Sequence, residues 1–445
     1  MFGNWKRILA LAIPSIFSFA TATLTGTINL IIVGALGAVV IAVVGVTNII
    51  MYNAWALFSG FGNTVNYLVA QSYGAGNYGQ AVRRALVALA VCLPFAALVL
   101  AAGMLGSEWL LWLVTGSREM ADTGETYVRL RFLALVIGVF SYVFHGFFRG
   151  IGDTRTPAAL TLIGCAVMVW LTYALTYGRL GFPELGLTGA GWAFLAGEAV
   201  GLAGCVAMFF IKLRRRFGIR AGAGFNRAES RLILLESGKL GIQEFAMSLS
   251  MFLFTMFVGR LGAVALAANE IALNIMSLGF MPAFAFGATA TILVGQEVGR
   301  GRPLAGRRHG TDVAVLGGIF LLAIGAAEFF LAEPIAKIYT REPEIYELVA
   351  RLIMVSAFLQ LFDGLLNFYA GGLRGIGDTT FLMRTSFICS FVVFVPLTYM
   401  LTFVFGWGSI GAWLSLYLFL TLFAFLVMLR YYRTDWLNVK QKEAD

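Results

Sequence analysis

Apolar residues fall along this chain in long blocks, not in alternation with polar ones, and the blocks end at glycine, proline or clustered charge. A helix needs about 20 apolar residues to cross about 30 Å of hydrocarbon, whereas a barrel strand needs roughly 10 of alternating polarity. The blocks meet the first requirement and predict helices near 8–33, 38–72, 82–103, 121–148, 155–178, 187–211, 231–260, 264–298, 309–331, 344–373, 379–404 and 408–432. The expectation is an all-α polytopic membrane protein with twelve transmembrane helices. The first block is too long for a signal-peptide core and contains Pro14, so it reads as a retained span.

Composition agrees, with 60% hydrophobic residues, 12% charged and a mean hydropathy of +0.85, far from the balance of a soluble domain. Most Lys and Arg lie in alternate connections: Lys6 and Arg7, Arg83 and Arg84, the stretch "IKLRRRFGIRAGAGFNR", the group Arg300, Arg302, Arg307 and Arg308, and the tail. The opposite connections, such as "SREMADTGETY" and "REPEIYE", are mixed or acidic. Positive loops stay cytoplasmic, so both termini are expected inside. The net charge of +9 follows from that topology, and no nucleic-acid partner is expected.

Cys92, Cys165, Cys205 and Cys389 lie in apolar segments without metal-ligand spacing and read as buried small side chains. His145 and His309 are too separated to form a metal site. H-E-x-x-H, G-x-S-x-G and Walker A patterns are absent from the sequence, which argues against an enzyme and against coupling to ATP hydrolysis.

One phrase occurs twice. "FRGIGDT" and "LRGIGDT" place Arg149 and Arg374 225 residues apart. The same shift aligns "IIVGALGAVV" at 31–40 with "MFVGRLGAVA" at 256–265, and "VAQSYGAG" at 69–76 with "VGQEVGRG" at 294–301. "GLTGAGWAF" and "WGSIGAWLS" align only at an offset of 222, because the first half has a longer loop there. The chain therefore reads as a duplication: a six-helix lobe over 1–211, a basic cytoplasmic linker over 212–230 and a second six-helix lobe over 231–445. An even helix number gives both halves the same orientation, and two bundles around a cleft permit alternating access. Gly150, Gly152, Gly375 and Gly377 suit a tight break after a helix, Asp153 and Asp378 suit caps of the next one, and Arg149 and Arg374 suit a cytoplasmic helix end.

These paired motifs, together with "AANEIALN", resemble the multidrug and toxic compound extrusion (MATE) family, in its prokaryotic NorM-like and DinF-like branches, over nearly the whole chain. The resemblance implies a secondary antiporter that exports small amphiphilic, cationic organic compounds in exchange for Na+ or H+. It implies no cofactor beyond that ion, and a monomer in the lipid bilayer is expected. A flippase for a lipid-linked substrate is the alternative; a strongly basic cavity would favour it, and the predicted spans hold few basic residues.

An ionisable side chain within a span is costly, which makes it a functional candidate. Asp363, eleven residues before Arg374, lies about 16 Å from that helix end, near mid-membrane. Its position matches the carboxylate of the second-lobe cation site that the resemblance implies. Glu244 lies about one turn from where the family carries an acid in the seventh helix, and Glu270 opens the eighth, where the family carries Gln, with Asn274 on the same face. Both are candidates to assist Asp363 in coupling. Glu198 lies within the sixth helix and Glu328 near the outer end of the ninth. In the first half, Asn29 stands where the family usually has an aspartate, and Met168 and Thr172 stand where it has an Asn and an Asp. An acidic first-lobe site is therefore expected to be absent. Asn29, Asn274 and Glu198 remain candidates to line the substrate cleft.

Overall fold

The computed structural model describes residues 2–213, 226–339 and 343–443. The arginines of the basic linker at 214–216 and 220 lie outside the described residues. Among the described residues the chain is helical throughout, without a strand.

The first repeat supplies α1 (Phe2–Gly34), α2 (Ala38–Gly74), α3 (Tyr78–Thr115), α4 (Arg118–Gly150), α5 (Arg155–Tyr177) and α6 (Gly186–Lys212). The second supplies α7 (Arg227–Gly259), α8 (Ala263–Gly299), α9 (Pro303–Phe330), the short α10 (Ala332–Tyr339), α11 (Pro343–Ser356), α12 (Leu359–Ile376), α13 (Thr379–Ile388), α14 (Val395–Tyr399) and α15 (Gly408–Arg433). Among the described residues eleven segments, with 379–404 taken as one, are long and apolar enough to cross a membrane, and the pair α11 and α12 makes a twelfth.

Two of the expected helices are irregular. The span expected over 344–373 is broken, with α11 and α12 meeting at 43°. No proline or glycine marks this break. At the break the Ala357 carbonyl packs against α9, where Gly325 leaves room for it; a Cβ on Gly325 would stand 2.3 Å from that oxygen. The span over 379–404 contains π-helical turns at Cys389–Phe394 and Met400–Val404. Pro396, between them, has no N–H and crowds the preceding turn, which favours such local widening.

The chain divides into two compact units that are a different partition from its repeats. One unit comprises Met1–Ile16, Ala70–Gly76 and Ile242–Lys442, the other Phe17–Val69 and Asn77–Gly241. The first half of α1 thus belongs with the second repeat and the first half of α7 with the first.

Within each unit, position-matched residues make matched contacts. In one, Asn4 Nδ2 donates to His309 Nδ1 at 2.6 Å; in the other, Arg84 Nε donates to Glu229 Oε1 at 3.3 Å. Asn4 and Glu229 are 225 residues apart in sequence, as are Arg84 and His309. Close helix packing repeats in the same way. A Cβ on Gly146 would lie 2.3 Å from the Gly62 carbonyl oxygen, and one on Gly371 would lie 2.1 Å from that of Gly287. Glycine is required at these crossings because the backbones themselves touch.

The twin "RGIGDT" phrases form the turns after α4 and α12. Gly152 and Gly377 each adopt φ of +81°, a conformation that glycine reaches without strain. Gly150 and Gly375 have another role from the one expected: both are helical, and their missing side chains admit Val69 and Val294. The two aspartates also differ. Asp153 caps, accepting from the Thr156 N–H at 3.1 Å, while Asp378 stands at the cap position without a capping bond and takes Arg430 Nε at 2.8 Å.

Candidate functional site

The polar residues of the second repeat line one face of α12. Gln360, Asp363, Asn367 and Arg374 recur at helical spacing. Asp363 is buried, 5% exposed, one turn beyond the break. Asn367 Nδ2 donates to its Oδ2 at 3.1 Å and to its backbone carbonyl at 2.9 Å. From α7, Glu244 accepts from Arg374 Nη2 at 3.2 Å. Glu244 is thus held by an arginine that the duplicated turn supplies, on the same helix as Asp363.

Glu270 does not join them. It is exposed on α8, as is Asn274; its neighbour Asn269 is the buried residue, accepting from Trp413 Nε1 at 3.0 Å. Glu328 is buried in a hydrogen bond from Gln360 Nε2, which satisfies the carboxylate structurally.

The first repeat contains a cavity of about 430 Å3, continuous in its lining with a smaller one of about 270 Å3. Seven residues border both, among them Asn48, Arg131, Cys165, Met168, Phe194 and Glu198. Cys165, expected to be buried, is half-buried at this wall. Phe19, Tyr52, Trp55 and Tyr142 give the larger cavity an aromatic side. Trp55 and Tyr142 meet edge to face at 5.4 Å.

Glu198, a cleft candidate from the sequence, brings a carboxylate to this cavity from α6, while α1 and α5 line it without an acid. The cavity also holds Arg131 and Arg149, although the spans carry few basic residues overall. Arg131 Nη1 donates to Asn48 Oδ1 at 3.1 Å and to the Tyr127 hydroxyl at 2.8 Å. Its guanidinium carbon lies 3.8 Å from the centre of the Phe194 ring, within cation–π range. Asn29 borders the smaller cavity; it is 3% exposed, and among the described residues neither its amide oxygen nor its nitrogen has a hydrogen-bond partner.

Arg131 was legible only as one of two arginines in "RLRF". Nothing in the sequence distinguishes it from Arg129, which pairs with Glu125 one turn away.

The duplication also aligns the two polar sites. Gly138 is position-matched to Asp363, and Phe19 to Glu244. A Cβ on Gly138 would stand 2.9 Å from Glu198 Oε2. Arg149 lies 5.0 Å from the centre of the Phe19 ring, where its counterpart Arg374 meets Glu244.

A duplicated bundle of twelve spans with a buried mid-span carboxylate in one repeat and a polar, aromatic cavity in the other defines the class as a multi-pass membrane transporter. The MatE family model matches residues 14–174 and again 240–400, and the chain belongs to that family of multidrug and toxic compound extrusion transporters.

Relatives extend along nearly its whole length. A probable multidrug resistance protein NorM of Thermotoga maritima is 27% identical over 97% of this chain and 93% of its own. The multidrug resistance protein PmpM of Pseudomonas aeruginosa is 27% identical over 98% and 93%. Among solved structures, an outward-facing multidrug resistance MATE transporter superposes with a TM-score of 0.87 at 20% identity, covering 96% of this chain and 95% of that one. A transporter of the same superfamily from Pyrococcus furiosus, described as having a binding pocket of reversed polarity, gives 0.88 at 20% identity and the same coverage. At that identity the structural likeness speaks for the fold.

Proposed function

We propose that this protein is a secondary active antiporter of the cell inner membrane, with both termini cytoplasmic, that exports small amphiphilic, cationic organic compounds in exchange for Na+ or H+. The observation that carries the reading is Asp363, a carboxylate buried within a span, on the helix that follows a break, and satisfied on the protein side by one amide, Asn367. Such a group binds a proton or a metal cation in apolar surroundings and releases it when its environment changes. Glu244 assists by its charge, and Arg374 holds it in place. The names of the relatives as multidrug resistance proteins support the substrate class.

A flippase is the second reading, and Arg131 and Arg149 are what favour it. Both guanidinium groups already engage aromatic rings, and Glu198 opposes their charge, so the antiporter is preferred. Proteoliposomes loaded with a cationic dye, under separately imposed Na+ and proton gradients, test the reading. Dye movement that follows one gradient and is lost in Asp363→Asn supports it. Movement that ignores both gradients, or translocation of a lipid-linked saccharide in its place, sinks it.

A further inference from the structure

We propose that Glu198 and Arg131 form a bipolar recognition pair in the first-repeat cavity, which selects organic ammonium compounds that also carry an acidic group. The inference rests on the efflux reading and narrows its substrate class.

The carboxylate has changed helix but kept its place. The second repeat carries its acid on α12, at Asp363; the matched residue on α4 is Gly138, which has no side chain. Glu198 reaches from α6 into the space so vacated, to the point where its Oε2 would be 2.9 Å from a Cβ on Gly138. A carboxylate in this position faces a cavity, whereas Glu328 in the second repeat is used up by Gln360.

Arg131 faces the same cavities. One edge of its guanidinium is committed to Asn48 and Tyr127, and one face to Phe194. Glu198 borders these cavities too, yet among the described residues no hydrogen bond or ion pair joins the two. A carboxyl and a guanidinium group therefore border one space without closing on each other. A simple cation entering there satisfies Glu198 but is repelled by Arg131, and a simple anion meets the reverse. A molecule with both groups satisfies both, which matters in apolar surroundings where an uncompensated charge is costly.

The unpartnered amide of Asn29 adds a donor and an acceptor beside this pair. An aspartate at that position would repel an acidic group, so the amide suits the same ligand. The aromatic wall of Tyr52, Trp55 and Tyr142 receives a flat apolar body.

Three probes sharing an indole test the idea: tryptophan with both charges, tryptamine with the cation alone and indole-3-acetate with the anion alone. Their affinities are measured calorimetrically for the full chain in lipid nanodiscs. We expect tryptophan to bind at least tenfold tighter than either of the others. Arg131→Met should erase its advantage over tryptamine, and Glu198→Ala its advantage over indole-3-acetate. Adding Gly138→Asp to Glu198→Ala should restore the preference, because it returns a carboxylate to the same space from α4; this also separates loss of recognition from loss of folding. Tryptamine binding as tightly as tryptophan, no detectable tryptophan binding, or affinities unchanged in Glu198→Ala would overturn the proposal. Gradient-driven dye movement, scored on the same variants reconstituted in proteoliposomes, reports on the efflux reading separately, since Asp363 and not this pair is the residue on which that reading depends.

Discussion

Arg374 donates to Glu244 at 3.2 Å across two helices, and the matched pair in the other repeat, Arg149 and Phe19, keeps the arginine but meets it with a ring. One architecture thus holds a basic group at each of the two helix ends by different chemistry. Glu244 is the only acid joined to Arg374 among the described ion pairs, and both side chains are mostly buried. Glu244→Ala should destabilise the protein by about 2 kcal/mol, the scale of a lost charge-assisted hydrogen bond. Glu244→Gln, which keeps an acceptor, should cost less. Thermal unfolding of the purified variants in detergent checks the order; equal midpoints for wild type and Glu244→Ala would show that the pair contributes nothing.

Asp363 has a different environment, and its substitution should have a different signature. Asn is nearly the same size, and it can still bond to Asn367, so Asp363→Asn should fold normally while gradient-driven transport falls at least tenfold. Asp363→Glu keeps the charge but displaces it by one methylene, and should retain part of the activity. Stopped-flow dye movement in proteoliposomes measures both. Wild-type rates in Asp363→Asn would remove this residue from the mechanism.

The spans, the duplication and Asp363 could all be found in the sequence because each is a local signal: a run of apolar residues, a repeated glycine phrase, an acid in an oily stretch. The break before Asp363 could not, since neither Ala357 nor Phe358 disfavours a helix strongly and the space for the freed carbonyl comes from Gly325 on another element. The pairing of Arg131 with Glu198 was hidden for a similar reason. It depends on the packing of α4 against α6, and the clue at Gly138 is a missing side chain. Glu270 was misleading in the opposite way, because a one-residue difference in helical phase buries Asn269 and exposes the acid.

The glycine crossings offer a test that does not involve charge. Gly146→Ala and Gly371→Ala each place a methyl group within 2.3 Å or less of a facing carbonyl oxygen, so the helices must separate. Overpacking of this kind costs about 1–3 kcal/mol, and both variants should melt at lower temperature by similar amounts. Gly201→Ala, where nothing lies within 4 Å, is the matched control. A control that melts as low as the other two would mean that helix glycines matter here for some reason other than close approach.

The matched pairs Arg84–Glu229 and His309–Asn4 predict an asymmetry between the two units. Arg84 is fully buried and Glu229 is 4% exposed, with Arg84 Nη1 also donating to the Leu68 carbonyl at 3.0 Å. Removing the carboxylate in Glu229→Ala strips a buried guanidinium of its counter-charge, which costs about 3–5 kcal/mol. Asn4 is half-buried, and its amide serves His309 and Asp312 through hydrogen bonds of 2.6 Å each. Asn4→Ala loses contacts that water can replace, at about 1 kcal/mol. The two substitutions remove position-matched residues from a duplicated protein, so a difference in their cost isolates the ion pair. Thermal midpoints of the two variants, measured side by side, should place Glu229→Ala well below Asn4→Ala; the reverse order would show that the buried charge pair is not what holds the start of α7 to α3.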